Sequence, residues 1–189
     1  MKNVKKIKAV FFDRDGTLIK DVSYLSCLGQ IEFIESALSV CKIVQELGYI
    51  IIVVTNQSGV ARGYFDEAFV KKTHAHLHEL MQERGIIVHA WYYCPHYPVQ
   101  TNQVQINQAA QGLVYIKECL CRKPKSGMLL TAAQDFNIDL SRSIMIGDKD
   151  IDIQAGCAAG CRAYDVNNLF GLSDRALRDL LSEKEEPKI

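Results

Sequence analysis

Two carboxylates, Asp13 and Asp15, stand one residue apart where the apolar run KAVFFD ends, and Gly16 and Thr17 follow. Residues two apart on an extended chain point the same way. Both acids can therefore face one pocket if extended geometry persists past the strand, and Gly16 permits a sharp exit. Two acids this close are uncomfortable as bare anions, so one holds a proton or a cation lies between them. One ionised carboxylate as nucleophile and one protonated carboxyl as general acid is a workable division of labour. An ordinary turn uses the same residue types, since Asp and Gly commonly follow a strand.

Further polar clusters stand at the ends of other apolar runs. TNQSGVARG (55–63) offers the Thr55 hydroxyl, the Asn56 amide and a Gly-containing turn whose N–H groups could surround an anion. A plain β–α loop is the bland alternative. IGDKDIDIQAG (146–156) carries Asp148, Asp150 and Asp152 at a helix start. Asp148 and Asp152, four apart, share a helix face. A favourable interaction with the helix dipole explains one acid there, but not three; oxygen ligands for Mg²⁺ do. In CRKPKSG (121–127), Arg122 and Lys123 precede a helix. Cations are disfavoured at a helix N-terminus, which suggests an anionic partner. Lys125 reads as a surface residue.

Cys94-Pro-His96 and Cys119-Leu-Cys121 bracket an irregular stretch rich in Gln and Asn. Three thiolates and one imidazole make a tetrahedral structural zinc site, able to order a polar loop that has no core of its own. Incidental reduced cysteines are the alternative. His74, His76 and His78 alternate around a helix, where 74 and 78 flank the apolar stripe and read as a solvated face. Cys27, Cys41, Cys157 and Cys161 read as packing thiols.

The elements that must position these groups alternate. Strands are expected at 8–13, 49–56, 86–94, 143–147 and 161–166, and helices at 35–48, 66–85, about 126–136, 150–159 and about 172–183. YIIIVVTN (49–56) is apolar and β-branched, as a central parallel strand covered on both faces should be. Asp66 is the expected N-cap of the second helix and Gly48 the stop of the first. Such alternation implies an α/β fold: a Rossmann-like three-layer sandwich around a central parallel sheet. Ligands bind beyond the C-terminal strand ends of such sheets, and the polar clusters Asp13–Thr17, Thr55–Ser58 and Gly147–Asp152 all fall there. Residues 95–125 break the rhythm as a functional insertion.

A chain of 189 residues suits one domain, 1–189, with a full core. Basic and acidic residues balance at 22 each, which gives no support to a nucleic-acid or anionic-membrane partner. No apolar run approaches the roughly 20 residues of a membrane helix, and the N-terminal lysines are followed by charge too soon for a signal peptide. A cytoplasmic location is the default. Seven cysteines in a reducing compartment argue against a disulfide framework. A monomer is compatible with the size and neutral charge.

Taken in order, DRDGT, the strand-end Thr55, Lys123 and GDKDID resemble the haloacid dehalogenase superfamily of aspartate-nucleophile phosphatases. DVSY (21–24), TNQSGVARG and CRKPKSGM narrow the resemblance to the heptose 1,7-bisphosphate phosphatase and histidinol-phosphatase family, whose members have little or no cap domain. The resemblance implies that Asp13 attacks phosphorus and that Asp15 protonates the leaving oxygen and then activates water. It implies Mg²⁺ on Asp13, the backbone carbonyl of Asp15, and Asp148. Thr55 and Lys123 would neutralise phosphoryl charge. Substrate contacts would come from Arg122, Lys149, Asp21, Val22, Ser23, Tyr24, Asn56, Gln57 and Ser58.

The family carries a matching Cys-x-His and Cys-x-Cys zinc loop, about 94–121 here, that contributes to substrate choice. The chain between the pairs is longer than the family pattern, which bears on substrate identity. The implied substrate is a small phosphorylated sugar, a heptose 1,7-bisphosphate losing its C7 phosphate on the way to lipopolysaccharide precursors. Histidinol phosphate is the alternative with the same chemistry, and a non-catalytic zinc-stabilised binding protein the alternative from another class. A phosphomutase is disfavoured, because no substantial cap is left to shield a phospho-enzyme from water.

Overall fold

The computed structural model describes residues 6–98 and 113–182. Among them, strands β1 (Ala9–Phe12), β2 (Ile50–Asn56), β3 (Val88–Cys94), β4 (Ile144–Gly147) and β5 (Arg162–Asp165) alternate with helices α1 (Glu35–Glu46), α2 (Glu67–Glu83), α3 (Gly127–Asp135), α4 (Asp150–Ala159) and α5 (Asp174–Leu181). The strands form one parallel sheet in the order β3-β2-β1-β4-β5. This is the α/β, Rossmann-like arrangement expected from the alternation of apolar runs and helical stripes.

The central strand shows why the sequence chooses this fold. All four residues of β1 are buried, and their side chains alternate between two cores. Val10 and Phe12 meet Val44 of α1, Met81 of α2 and Leu181 of α5 on one face. Ala9 and Phe11 meet Leu129 of α3 and Ala155 of α4 on the other. A strand covered on both faces must be apolar throughout. Burying each phenylalanine is worth about 1.5–3 kcal/mol, so a charge within this run would be costly.

Helix ends follow local chemistry. The Asp66 carboxylate accepts the Phe69 N–H at 2.7 Å and starts α2. Gly48, at φ 79°, ends α1 in the left-handed region that favours glycine. The Arg162 guanidinium donates to the carbonyls of Leu180, Leu181 and Ser182, so a charged donor satisfies the last carbonyls of α5. No described helix is long and apolar enough to cross a membrane.

Three expectations need correction. His74 is buried, only 6% exposed, and joins Val70, Thr73, Leu77 and Met81 on the inner face of α2. The helical wheel counted it as polar, but a buried guanidinium awaits it there. Cys157 is exposed because the adjoining Ala155 and Gly156 take the face of α4 turned to the sheet. Cys27 is exposed beside a 3₁₀ turn at Leu28–Gln30. Cys41 and Cys161 are buried as expected.

Between β1 and α1 the chain forms that short turn and single bridges of Ile19 with Asp15 and with Phe33, in keeping with a minimal cap. After β3, the two described ends of the insertion pair with each other: Tyr97 N–H donates to Tyr115 O at 3.1 Å and Lys117 N–H to Tyr97 O at 3.0 Å. The lengthened middle, 99–112, lies outside the described residues.

Candidate active site

The sheet order places β1 between β2 and β4, so residues leaving these three strands meet on one edge. Asp13 exits β1 with its N–H on the Ile146 carbonyl of β4 at 2.9 Å. Asp148 follows β4, and Asp152 comes from the first turn of α4. One carboxylate oxygen from each of Asp13, Asp148 and Asp152 lies within 4.8 Å of the others. Lys123 joins them from a loop 110 positions away, with Nζ 2.6 Å from Asp13 Oδ1. The same Nζ is 2.6 Å from Asp152 Oδ1.

Charge balance says what this cluster can hold. Three carboxylates against one buried ammonium leave two negative charges, offset only at the rim by the half-exposed Lys149, 3.7 Å from Asp148 and shared with Asp21. Burial raises Asp13 above the ordinary carboxylate range; Lys123 opposes that and Asp152 adds to it. Burial and the Asp13 charge likewise raise Asp148. Burial alone would lower Lys123, but Asp13 and Asp152 outweigh it. Oxygen donors with two surplus negative charges fit a hard divalent cation such as Mg²⁺.

Two glycines make room for the acids. A Cβ on Gly16 would come 2.4 Å from Asp148 Oδ2, and its φ of +85° is itself costly for other residues. A Cβ on Gly147 would come 2.3 Å from the Asp152 side chain. The Thr17 hydroxyl donates to Asp148 Oδ1 at 3.3 Å. Asp150 is exposed and stands outside the cluster.

Asp15 is held separately from Asp13. The Arg14 guanidinium grips its carboxylate through Nε at 3.2 Å and Nη2 at 3.0 Å. Gln57 Nε2 donates to Asp15 Oδ2 at 2.8 Å and to Thr55 Oγ1 at 2.9 Å. The side chains of Asp13 and Asp15 therefore have different neighbours, which suits two different roles. Asn56 uses its amide on the backbone of Lys123, donating to its carbonyl at 3.0 Å and accepting from its N–H at 3.1 Å. Its side chain thus positions Lys123 from the cleft wall.

A cleft of about 210 Å³ opens beside this cluster. Asp15, Asn56, Gln57 and Ser58 line it, as do Asp21, Ser23, Tyr24, Arg122 and Lys149. Val22 is 38% exposed and takes no part in the lining. Asp13, Thr55 and Lys123 are buried beyond it, with Asp15 and Gln57 forming the link. Lys149 Nζ pairs with Asp21 Oδ2 at 3.0 Å. The Arg122 guanidinium donates to the His96 carbonyl at 3.1 Å and lies 5.4 Å from the Tyr97 ring centre.

The cysteine pairs converge as well. Cys94 Sγ is 3.6 Å from both His96 Nδ1 and Cys119 Sγ. Cys121 Sγ lies 3.2 Å from Cys94 Sγ, 3.3 Å from Cys119 Sγ and 3.3 Å from His96 Nδ1. A tetrahedron with bonds of ~2.3 Å has edges of roughly 3.8 Å, so four soft donors at this spacing fit zinc. Its contacts with Cys94 first, then with Cys119 and His96, bring the Cys121 thiol down to about 5 despite its burial. Gly127 N–H donates to Leu120 O at 3.0 Å, seating the first turn of α3 on this knuckle.

The chain is similar to D-glycero-beta-D-manno-heptose-1,7-bisphosphate 7-phosphatase of Haemophilus ducreyi, 43% identical over 156 residues, covering 82% of this chain and 80% of that protein. The chain belongs to the haloacid-dehalogenase-like phosphatases. The family model described as HAD-hydrolase-like matches residues 120–186 of this phosphatase. It is also 38% identical over 157 residues to the D-glycero-alpha-D-manno-heptose-1,7-bisphosphate 7-phosphatase of Photorhabdus laumondii, covering 82% of this chain and 79% of that one. Among solved structures, it is similar to the D,D-heptose 1,7-bisphosphate phosphatase of B. bronchiseptica complexed with magnesium and phosphate. The TM-score is 0.71 at 25% identity, covering 93% of this chain and 98% of that chain.

Sequence reasoning left Arg14 without a role and read His74, which packs behind it, as a solvated face; Asp152 takes the metal-ligand place that its grouping with Asp148 suggested, and Asp150 does not. Arg14 gave a weak signal, a lone cation between two acids. His74 gave none beyond its place on α2.

Proposed function

We propose that this phosphatase removes the C7 phosphate of D-glycero-D-manno-heptose 1,7-bisphosphate through an aspartyl-phosphate on Asp13. The supporting observation is the convergence of Asp13, Asp148 and Asp152 on one point beside Lys123. Asp13, Asp148 and Asp152 would hold Mg²⁺ through side chains; the resemblance adds the Asp15 carbonyl. When bound, the ion supplies positive charge that draws the phosphoryl oxygens and offsets repulsion among the acids.

The Asp13 carboxylate attacks phosphorus, and the bond to the sugar oxygen breaks. That oxygen leaves with a proton from Asp15. Asp15, now a carboxylate, takes a proton from water, which attacks the phospho-Asp13 and releases phosphate. Lys123 and the Thr55 hydroxyl face charge on the transferring group. The phosphate that stays on the sugar meets Arg122 and Lys149 at the cleft wall.

The test is a substrate panel with Mg²⁺, containing heptose 1,7-bisphosphates of both anomers, histidinol phosphate and a generic aryl phosphate. Heptose bisphosphate should give the highest kcat/KM, and Asp13→Asn should abolish turnover. An inert wild-type protein across the panel sinks the proposal; preference for histidinol phosphate moves the substrate and leaves the chemistry.

A further inference from the structure

His74 lies outside the cleft and the metal cluster, yet it completes the surroundings of the guanidinium that grips Asp15. Arg14 is only 3% exposed. Its Nε and Nη2 are committed to Asp15, and its Nη1 lies 3.3 Å from His74 Nε2. Arginine has donors only, so Nε2 must accept and the imidazole proton sits on Nδ1. The ring is fixed in turn: it stacks on Trp91 at 4.9 Å between centres and meets the edge of Tyr93 at 5.7 Å. Both aromatics belong to β3, aligned with Val53 and Thr55 of β2. A rigid strand thus holds the imidazole, the imidazole holds one end of the guanidinium, and the other end holds the Asp15 carboxylate.

We propose that His74 is a positioning residue for the phosphatase reaction, aiming Asp15 through Arg14 from α2. This rests on Asp15 being the proton donor and acceptor of the proposed function. Without an acceptor at position 74, a buried Nη1 loses its partner. The guanidinium then turns in search of another, and the carboxylate it grips turns with it. Protonation of the ring would set donor against donor; burial first, and the Arg14 charge second, keep it neutral by pushing its pKa down to about 3.

Misplacing a general acid forfeits part of the about 10²–10⁴-fold that such a group supplies. His74→Phe retains a ring to stack on Trp91 but offers no acceptor. His74→Gln loses the ring and offers a carbonyl oxygen. Kinetics of wild type, Asp15→Asn, His74→Phe and His74→Gln on heptose bisphosphate, with melting curves for each, test the proposal. The expected result is a kcat about tenfold or more below wild type in the phenylalanine variant, at nearly unchanged KM. Glutamine should recover most of it. Wild-type kcat in His74→Phe overturns the inference, as does an equal loss in folded Phe and Gln variants. Should the phenylalanine variant fail to fold, His74→Met against His74→Gln decides: equal kcat in these two overturns it, and a higher kcat with glutamine supports it. If Asp15→Asn keeps full activity, the assignment of Asp15 itself has failed, an outcome separate from the others.

Discussion

Lys123 Nζ lies 2.6 Å from a carboxylate oxygen of Asp13, across 110 positions of sequence, and both side chains are nearly buried. The lysine also neutralises Asp152. Its removal leaves Asp13 and Asp152 without their buried counter-charge, with only the half-exposed Lys149 near Asp148 at 3.7 Å. Breaking a buried pair by deleting one partner costs about 3–5 kcal/mol. Lys123→Met should lose stability on that scale in denaturant titrations without Mg²⁺, and Mg²⁺ should restore part of the loss. Phosphatase activity should fall with it. An unchanged denaturation midpoint would show that the acids do not depend on this ammonium.

At Gly16 the backbone passes close to the Asp148 carboxylate. A methyl group there meets two penalties: a φ of +85°, and an Asp148 oxygen 2.4 Å away. Strain at a left-handed position is on the order of 1–3 kcal/mol, and the contact displaces a candidate metal ligand as well. Gly16→Ala should therefore raise the Mg²⁺ concentration needed for half-maximal activity by about tenfold, on the scale of about 1.4 kcal/mol for a decade. Titrating activity with Mg²⁺ measures the shift, and an unaltered Mg²⁺ requirement counts against Asp148 as a ligand.

Much of this was legible in the sequence for one physical reason. Strands buried on both faces read as unbroken apolar runs, and polar residues at their C-terminal ends have few structural reasons to be there. AVFF, IIIVVTN and IMIG therefore betrayed both the sheet and the edge that gathers Asp13, Thr55 and Asp148. The zinc-type cluster was legible from two short-spaced pairs. Arg14 and His74 were not, because hydropathy assigns each side chain to water or core on its own account. Here two polar groups are buried because each satisfies the other, and that pairing spans 60 positions. Asn56 illustrates the same limit: its type suggested a ligand contact, and nothing in the sequence showed that its amide, in the cleft wall, also holds the Lys123 backbone 67 positions away.

The buried imidazole also sets a pH dependence. His74 is lowered from 6.5 to about 3, first by burial and then by Arg14. The folded chain keeps the ring neutral while the unfolded chain takes up a proton below 6.5. Stability is thus lost as pH falls from about 6.5 towards 3, at up to about 1.4 kcal/mol per unit. Acidic residues titrate in the same range, so the informative quantity is a difference between proteins. Between pH 7 and 5 the wild type should lose about 2 kcal/mol more than His74→Gln. Parallel stability curves for the two proteins would mean that the ring titrates in the fold as it does in the unfolded chain.

The zinc-type knuckle reaches the cleft through Arg122, whose guanidinium donates to the carbonyl of His96 at 3.1 Å, and through the Gln57 N–H, which donates to the carbonyl of Cys94 at 2.8 Å. Asp13, Lys123 and the acid cluster take their positions from strand ends and from the Asn56 amide instead. Loss of the metal should thus weaken capture of the second phosphate more than it slows the chemistry. Cys119 offers Sγ 3.6 Å from Cys94 and 3.3 Å from Cys121, so Cys119→Ser removes one of four donors. Purified wild type should contain about one zinc per chain, and the variant much less. KM for the bisphosphate should rise by roughly tenfold, the scale of one charge-assisted contact. Turnover of a simple aryl phosphate, which has no second phosphate to anchor, should change little. Full zinc content in Cys119→Ser would refute the four-donor site, and a fall in kcat at constant KM would place the knuckle's influence on the reacting groups rather than on Arg122.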